Sequence, residues 1–316
     1  MKVKVVLLAV CFTCIICIVF SSVNTFAQIG TYSKEELIKY TPHWKGERFP
    51  DGRPKVPEEI IERMKKVALE EAWAVCRRYG YFSQYEGDWV MSQDDAVLVG
   101  RAVTVGFMPM RTGVNEIIEA EGKKDGRIGG QNSWVIDTLV DGDVPVVDML
   151  GRVRYGCFFG GNLAHAIRAK TGTGIVVDGG NRDMEDVIQM ENFPVFSRGW
   201  DPGYPREEKK VMLMGLNSPT RIGEATVMPG DVVLAKSEGI IFIPPHLAEE
   251  IVKTSEVVRL RDAFGYERLT AGVYTPGQID TRWSDELEKD FAQWLKKRGE
   301  KMTAEEIKEF LRTRTW

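Results

Sequence analysis

Apolar residues fall along this chain in three patterns, and each pattern predicts a different kind of element. From Val5 to Phe20 the run is apolar except for Thr13. It follows the basic start Met1-Lys2-Val3-Lys4 and precedes the small and polar residues Ser21 to Ala27. A run of sixteen residues is short for a membrane span of roughly 20, so the layout predicts a secretory signal peptide over 1–27, cleaved after Ala27. The alternative is an uncleaved anchor. Continuous apolar runs of strand length recur at Val97–Phe107, Val144–Asp148 and Gly174–Val177, with two more strands within Val227–Pro244. Helical spacing appears at Pro57–Tyr79, Gly129–Val140 and Leu247–Phe264, and again after Gly160-Gly161. In that last helix Leu163, Ala166, Ile167 and Lys170 share one face. The aromatic and apolar residues of the first helix, Val67, Trp73 and Val75, read as core.

Strands alternating with helices predict an α/β fold. Residues 28–57 are polar and proline-bearing and read as an arm lying on the body. The body covers 58–272, and a charged helical extension covers 273–316, with Thr303-Ala304-Glu305-Glu306 as a capping box. That tail either docks on a neighbouring subunit or forms a solvated helical pair. The link Trp200–Glu224 reads as a surface or interface element.

Composition narrows the chemistry. The net charge of −4 becomes −6 once Lys2 and Lys4 leave with the signal segment, and without a basic cluster nucleic-acid binding is excluded. Removal of the signal also leaves no membrane segment, so the protein is expected to be exported, periplasmic or secreted. Cys11, Cys14 and Cys17 lie in the signal, leaving Cys76 and Cys157 as lone thiols. With three histidines, no HExxH and no mature CxxC, zinc is not expected.

The densest candidate chemistry lies in Phe159–Gly199. Asp178-Gly179-Gly180 reads as a sharp turn, after which Asn181 caps a helix carrying Arg182, Asp183 and Asp186. A helix start of this kind favours an anion. The spacing Gly161, twenty residues, Arg182-Asp183, two residues, Asp186 resembles the G-x20-R-D-x2-(E/D) variant of a metal-dependent aldolase signature. That family contains 4-hydroxy-4-methyl-2-oxoglutarate aldolases together with the regulator of ribonuclease activity A. Leu98–Val105, Asp141–Asp148, Phe193–Gly199 and Pro229–Val233 resemble further family segments in the same order, so the likeness covers roughly residues 60 to 272. In the commoner pattern an aspartate stands where this chain has Gly161.

The resemblance implies an α/β/β/α layered core like that of swivelling phosphohistidine domains, assembled as a homotrimer or hexamer with sites between subunits. It implies a divalent-metal-dependent lyase, using Mg2+ or Mn2+, that cleaves a 4-hydroxy-2-keto acid to release pyruvate, with oxaloacetate decarboxylation as a side activity. By resemblance Asp183 is the metal ligand, and Asp186 holds a metal-bound water in place of the carboxylate missing at Gly161. Arg182 faces the keto oxygen, and backbone N–H groups around Gly160, Gly161, Asn162 and Leu163 receive the substrate carboxylate. An acid from the adjacent subunit is also implied; Asp262 matches its place best, with Glu256 and Glu267 as rivals. Asp178 is expected to brace the turn. Two other readings stand beside this one: a non-catalytic regulatory protein of the same fold, and a Schiff-base aldolase using Lys236.

Overall fold

The computed structural model describes residues 30–203 and 210–312; the expected signal segment lies outside the described residues. The arm opens on α1 (Lys34–Tyr40), where Ser33 and Glu36 cap each other reciprocally. The single helix expected from Pro57 to Tyr79 is two helices, α2 (Glu58–Met64) and α3 (Leu69–Arg78). The chain breaks between them so that Val67 can be fully buried, and Glu71 caps the N–H of Ala68 at 2.8 Å. Val75 is core as expected. Trp73 is not: it is 43% exposed, with the Arg77 guanidinium 4.5 Å over its ring.

Two short strands, β1 (Tyr85–Glu86) and β2 (Val90–Met91), precede the long β3 (Leu98–Pro109). Next come α4 (Thr112–Lys124), α5 (Gln131–Asp137), β4 (Asp143–Cys157), α6 (Gly161–Thr171), β5 (Ile175–Asn181), the single turn α7 (Met184–Val187) and β6 (Val195–Trp200). Five strands follow: β7 (Val211–Leu216), β8 (Thr220–Ile222), β9 (Ala225–Val227), β10 (Val232–Lys236) and β11 (Gly239–Ile243). The chain ends in the long helix α8 (Ala248–Thr270) and the tail helices α9 (Pro276–Ile279), α10 (Asp285–Arg298) and α11 (Ala304–Arg312).

These strands form one nine-stranded sheet in the order β1-β11-β10-β3-β4-β5-β6-β2, with β7 also on β3. The central strands β3 to β6 run parallel, as their unbroken apolar runs predict. β10 pairs with the first half of β3 and β7 with the second half. Residues 211–216 of the link are therefore an integral strand, whereas 204–209 lie outside the described residues.

Alternate side chains of β3 divide the core. Val103, Val105 and Phe107 pack under α5 and α6 beside Val147, Ile175 and Val177. Val99 points the same way, farther along the sheet, under α2, α3 and α8. Leu98 and Ala102 face the opposite side, which the β8–β9 hairpin covers with Ile222, Ala225 and Val227. The layers are thus helices, main sheet and hairpin, an α/β core.

Long-range ion pairs lock both ends onto this core. Arg53 of the arm reaches the buried carboxylate of Asp143 at 2.8 Å. Arg63 of α2 and Arg78 of α3 grip Glu256 and Glu250 of α8 at 2.8 and 2.6 Å. The tail packs on α8 too, through a ring cluster of Phe264, Trp283, Phe291 and Trp294. Within one chain the tail helices thus bury one face against α8 and expose the other, so they are more than a solvated pair.

Candidate active site

Strand β5 and helix α6 build the site. Phe158 and Phe159, each 1% exposed, anchor the approach to α6 by edge contacts with Phe107 and Phe193. Burying each ring contributes about 1.5–3 kcal/mol, enough to fix where Gly160 and Gly161 sit. Helix α6 then starts without a side-chain cap on Gly160. Its buried stripe is Ala164, Ile167 and Thr171, with Leu163 and Ala166 partly buried, while Lys170 is exposed and does not belong to that face.

The expected turn at Asp178-Gly179-Gly180 is not a turn. β5 continues through it to Asn181, every residue buried. The glycines serve close approach instead: a Cβ on Gly179 would meet the Met149 side chain at 2.5 Å, and one on Gly180 the Val153 carbonyl at 2.4 Å. Asp178 forms an ion pair with Arg198 at 2.7 Å, bracing β5 against β6. Asn181 is buried strand and caps nothing; its side-chain nitrogen and oxygen have no partner among the described residues.

The chain reverses at Asp183, whose backbone is left-handed (φ 60°, ψ 41°) and which serves as the N-cap residue of α7. Aspartate tolerates this region better than most residues, yet holding it there costs of order 1 kcal/mol. The effect is to aim its carboxylate back at α6. Asp183 Oδ2 accepts the Gly161 N–H at 2.8 Å and lies 3.9 Å from Arg182 Nε. Asp183 and Asp186 therefore do not share a face of a regular helix, but they converge all the same. The point where a Gly161 side chain would begin is 3.5 Å from Asp186 Oδ2 and 3.8 Å from Asp183 Oδ2. At Gly160 a side chain would force the site to shift, since a Cβ would stand 2.3 Å from Asp183 Oδ2 and 3.0 Å from Arg182 Nε.

Of the N–H groups expected to receive a carboxylate, that of Gly161 is already taken by Asp183. Those of Asn162 and Leu163, at the positive end of an eleven-residue helix, have no acceptor among the described residues. Beside them lies a cavity of 610 Å³ lined by Gly161, Asn162, Asp183 and Asp186, with His165, Arg168, Gln189 and Glu191 farther out. A second lobe of 400 Å³ shares Asn162 and Asp183 and is lined by Arg182, Leu163, Phe159 and Asn132. Glu185 lines neither lobe. His165 and Arg168 escaped the sequence reading, although four and seven residues beyond Gly161 is the spacing that puts them on its side of a helix.

The donor set can be tested against a metal. Two aspartates converge with neither histidine nor cysteine, and no group of three or more such ligands exists among the described residues. This does not suit a closed zinc site. It suits a hard cation such as Mg2+ or Mn2+, which takes one or two carboxylates and keeps several waters. Cys157 borders the second lobe, but burial pushes its thiol up to about 11, so it is no nucleophile at neutral pH.

Within one chain the structure does not bring Asp262 to this cavity. It lies exposed on α8, where burial of its surroundings and the nearby Glu71 raise its carboxyl. Its rivals are engaged elsewhere: Glu256 with Arg63, and Glu267 with Arg268 and the Trp294 indole at 2.7 Å. Lys236 ends β10, separated from β5 by β3 and β4.

The family model RraA-like, described as Aldolase/RraA, matches residues 71–242. Protein DlpA of Legionella pneumophila is 28% identical over 60% of this chain and 27% of its own length. A Halalkalibacterium halodurans protein named a candidate 4-hydroxy-4-methyl-2-oxoglutarate aldolase is 28% identical over 40% of this chain and 60% of its own length. The chain thus spans less than two thirds of these relatives. Among solved structures, Streptomyces coelicolor RraAS2, described as an unusual member of the RNase ES inhibitor RraA family, superposes with a TM-score of 0.57. It is 26% identical and is covered completely, over 68% of this chain. An uncharacterised Pseudomonas syringae protein superposes equally well at 22% identity, covering 72% of this chain and 98% of its own.

Proposed function

Because the chain belongs to the RraA-like family, which includes both aldolases and regulatory proteins, we propose that it is a divalent-metal-dependent carbon–carbon lyase. Its substrate is a small 4-hydroxy-2-keto acid and its product pyruvate, with oxaloacetate decarboxylation as a side activity. One observation carries this reading: Asp183 and Asp186 converge on one point beside the open N–H groups of α6 and the Arg182 guanidinium.

In this reading Asp183 and Asp186 hold the cation, and a bound divalent ion supplies charge stabilisation for the enolate that carbon–carbon cleavage leaves behind. The N–H groups of Asn162 and Leu163 bind the substrate carboxylate. Arg182 donates to the C2 keto oxygen, and that contact strengthens as the oxygen gains charge. Asp186 orients the water that removes the C4 hydroxyl proton. The C3–C4 bond then breaks, its electron pair moves toward C2, and C3 takes up a proton to give pyruvate while the other fragment leaves as a carbonyl compound. With oxaloacetate the same bond breaks with loss of carbon dioxide and gives the same enolate. The Asp183 and Asp186 carboxylates are exposed in a single chain, which favours a site closed by a second subunit contributing Asp262.

The test is pyruvate release from a panel of 4-hydroxy-2-keto acids and oxaloacetate, with Mg2+ or Mn2+ and with a chelator. Metal-dependent release from any of them supports the lyase. Release that survives chelation, or its absence across the panel with folded protein, removes it.

A further inference from the structure

A second cavity, of 220 Å³, lies at the other end of the sheet, where the arm meets β11 and the segment after it. The arm supplies Trp44 and His43, and the body supplies Tyr81 and His246. The rings stand close together: His43 and His246 have centroids 5.1 Å apart, Tyr81 and His246 5.7 Å. Asp231 lines the same cavity and is 3% exposed. One of its oxygens accepts the Met228 N–H at 2.8 Å, and this carboxyl has no other hydrogen-bond partner among the described residues. No lysine or arginine among the described residues lines the cavity.

A buried acid either has a cationic partner, as Asp143 has in Arg53, or keeps its proton. Asp231 has no cationic partner among the described residues, and it shares its cavity with aromatic rings whose π-faces attract cations. The arm already shows that chemistry nearby, with the Lys39 ammonium 5.0 Å from the centre of the Tyr40 ring. We infer that this cavity is a binding site for a small free organic ammonium ion, with Asp231 as counter-charge and Trp44, Tyr81, His43 and His246 as its aromatic wall. The volume is below the roughly 300–1,000 Å³ of drug-sized pockets, so the guest has few heavy atoms. Burial raises the Asp231 carboxyl to about 8, so the entering ammonium displaces a proton to solvent. The site is independent of the lyase reading, because no residue is shared with the Asp183–Asp186 cavity.

The experiment is calorimetric titration of the full chain, at a pH above that carboxyl's value, with choline and with its uncharged isostere 3,3-dimethylbutan-1-ol. Choline should bind at least about tenfold more tightly, since only the charge differs between the two. Asp231→Asn should remove that preference. Trp44→Leu, on the arm and outside the sheet, should weaken choline about tenfold and serves if Asp231→Asn does not fold. No choline binding, equal binding of the two probes, or a folded Trp44→Leu protein with unchanged choline affinity overturns the inference.

Discussion

Exchanging the carboxylate of Asp186 for one at Gly161 tests whether two positions can supply one function. Gly161 is not in the left-handed region, and a Cβ placed there meets Asp186 Oδ2 at 3.5 Å and Asp183 Oδ2 at 3.8 Å, ordinary contacts. Aspartate is therefore accommodated without backbone strain. Alone, Gly161→Asp gathers three carboxylates within a few ångströms of one another. At ~4 Å two such charges repel by about 1 kcal/mol in water and about 4 kcal/mol near a protein surface. The exposure of Asp183 and Asp186 puts the cost toward the lower figure. Asp186→Ala alone is expected to lower metal-dependent pyruvate release by about 10²–10⁴, the range of a proton-transfer group. The double change removes the crowding and restores a carboxylate, so it should recover at least about tenfold, a coupling of about 1.4 kcal/mol in a double-mutant cycle. Circular dichroism checks folding and a coupled pyruvate assay gives the rates. A folded Asp186→Ala protein with unchanged turnover refutes any role for Asp186, and a folded double variant no faster than Asp186→Ala refutes the equivalence of the two positions.

Gly160→Ala should push the Asp183 carboxylate aside and weaken Mn2+ binding in calorimetry, nearly as much as Asp183→Ala, whereas Gly161→Ala should leave it within a few-fold. Arg53→Met strands the buried Asp143 carboxylate and should cost about 3–5 kcal/mol, read as a fall of roughly 10 °C in melting temperature. Asp231 holds its proton in the folded state up to about pH 8, whereas an unfolded chain releases it near pH 3.9. Its stabilising contribution is therefore complete below the lower value and lost as pH rises toward the upper one. Asp231→Asn should flatten stability across that window by up to about 1.4 kcal/mol per pH unit in urea titrations. Light scattering should give a trimer or a multiple of one; an active monomer would remove Asp262 from the mechanism.

The sequence made the central strands, α6 and the convergence of Arg182, Asp183 and Asp186 legible, because a buried parallel strand and a helix start both leave local marks. It misled at Gly179-Gly180, where glycine permits a turn and close packing equally, and only the position of β4 decides between them. The left-handed Asp183 had no local signature; it follows from β5 running on to Asn181 and leaving only Arg182 and Asp183 to reverse the chain. Helix α4 went unseen because only Ile118 and Gly122 of its thirteen residues are buried, too few to set a period. Strand β7 hid in a link whose partner, the far half of β3, is about a hundred residues away. Trp73 was assigned to the core by its size, while its neighbour Arg77 lets it lie on the surface.

The grip of Arg63 and Arg78 on α8 also bears on the order in which the molecule assembles. These contacts join residues 193 and 172 positions apart, and the Arg53–Asp143 plug joins residues 90 apart. The first helices made can pack on β3 early but lack their α8 partner until nearly all of the body exists. Folding should be slow for a mixed α/β chain of this size, since so many contacts close long loops. A chain stopped before α8 leaves the apolar sides of α2 and α3 bare, so an early truncation should yield an aggregating fragment instead of a smaller folded protein.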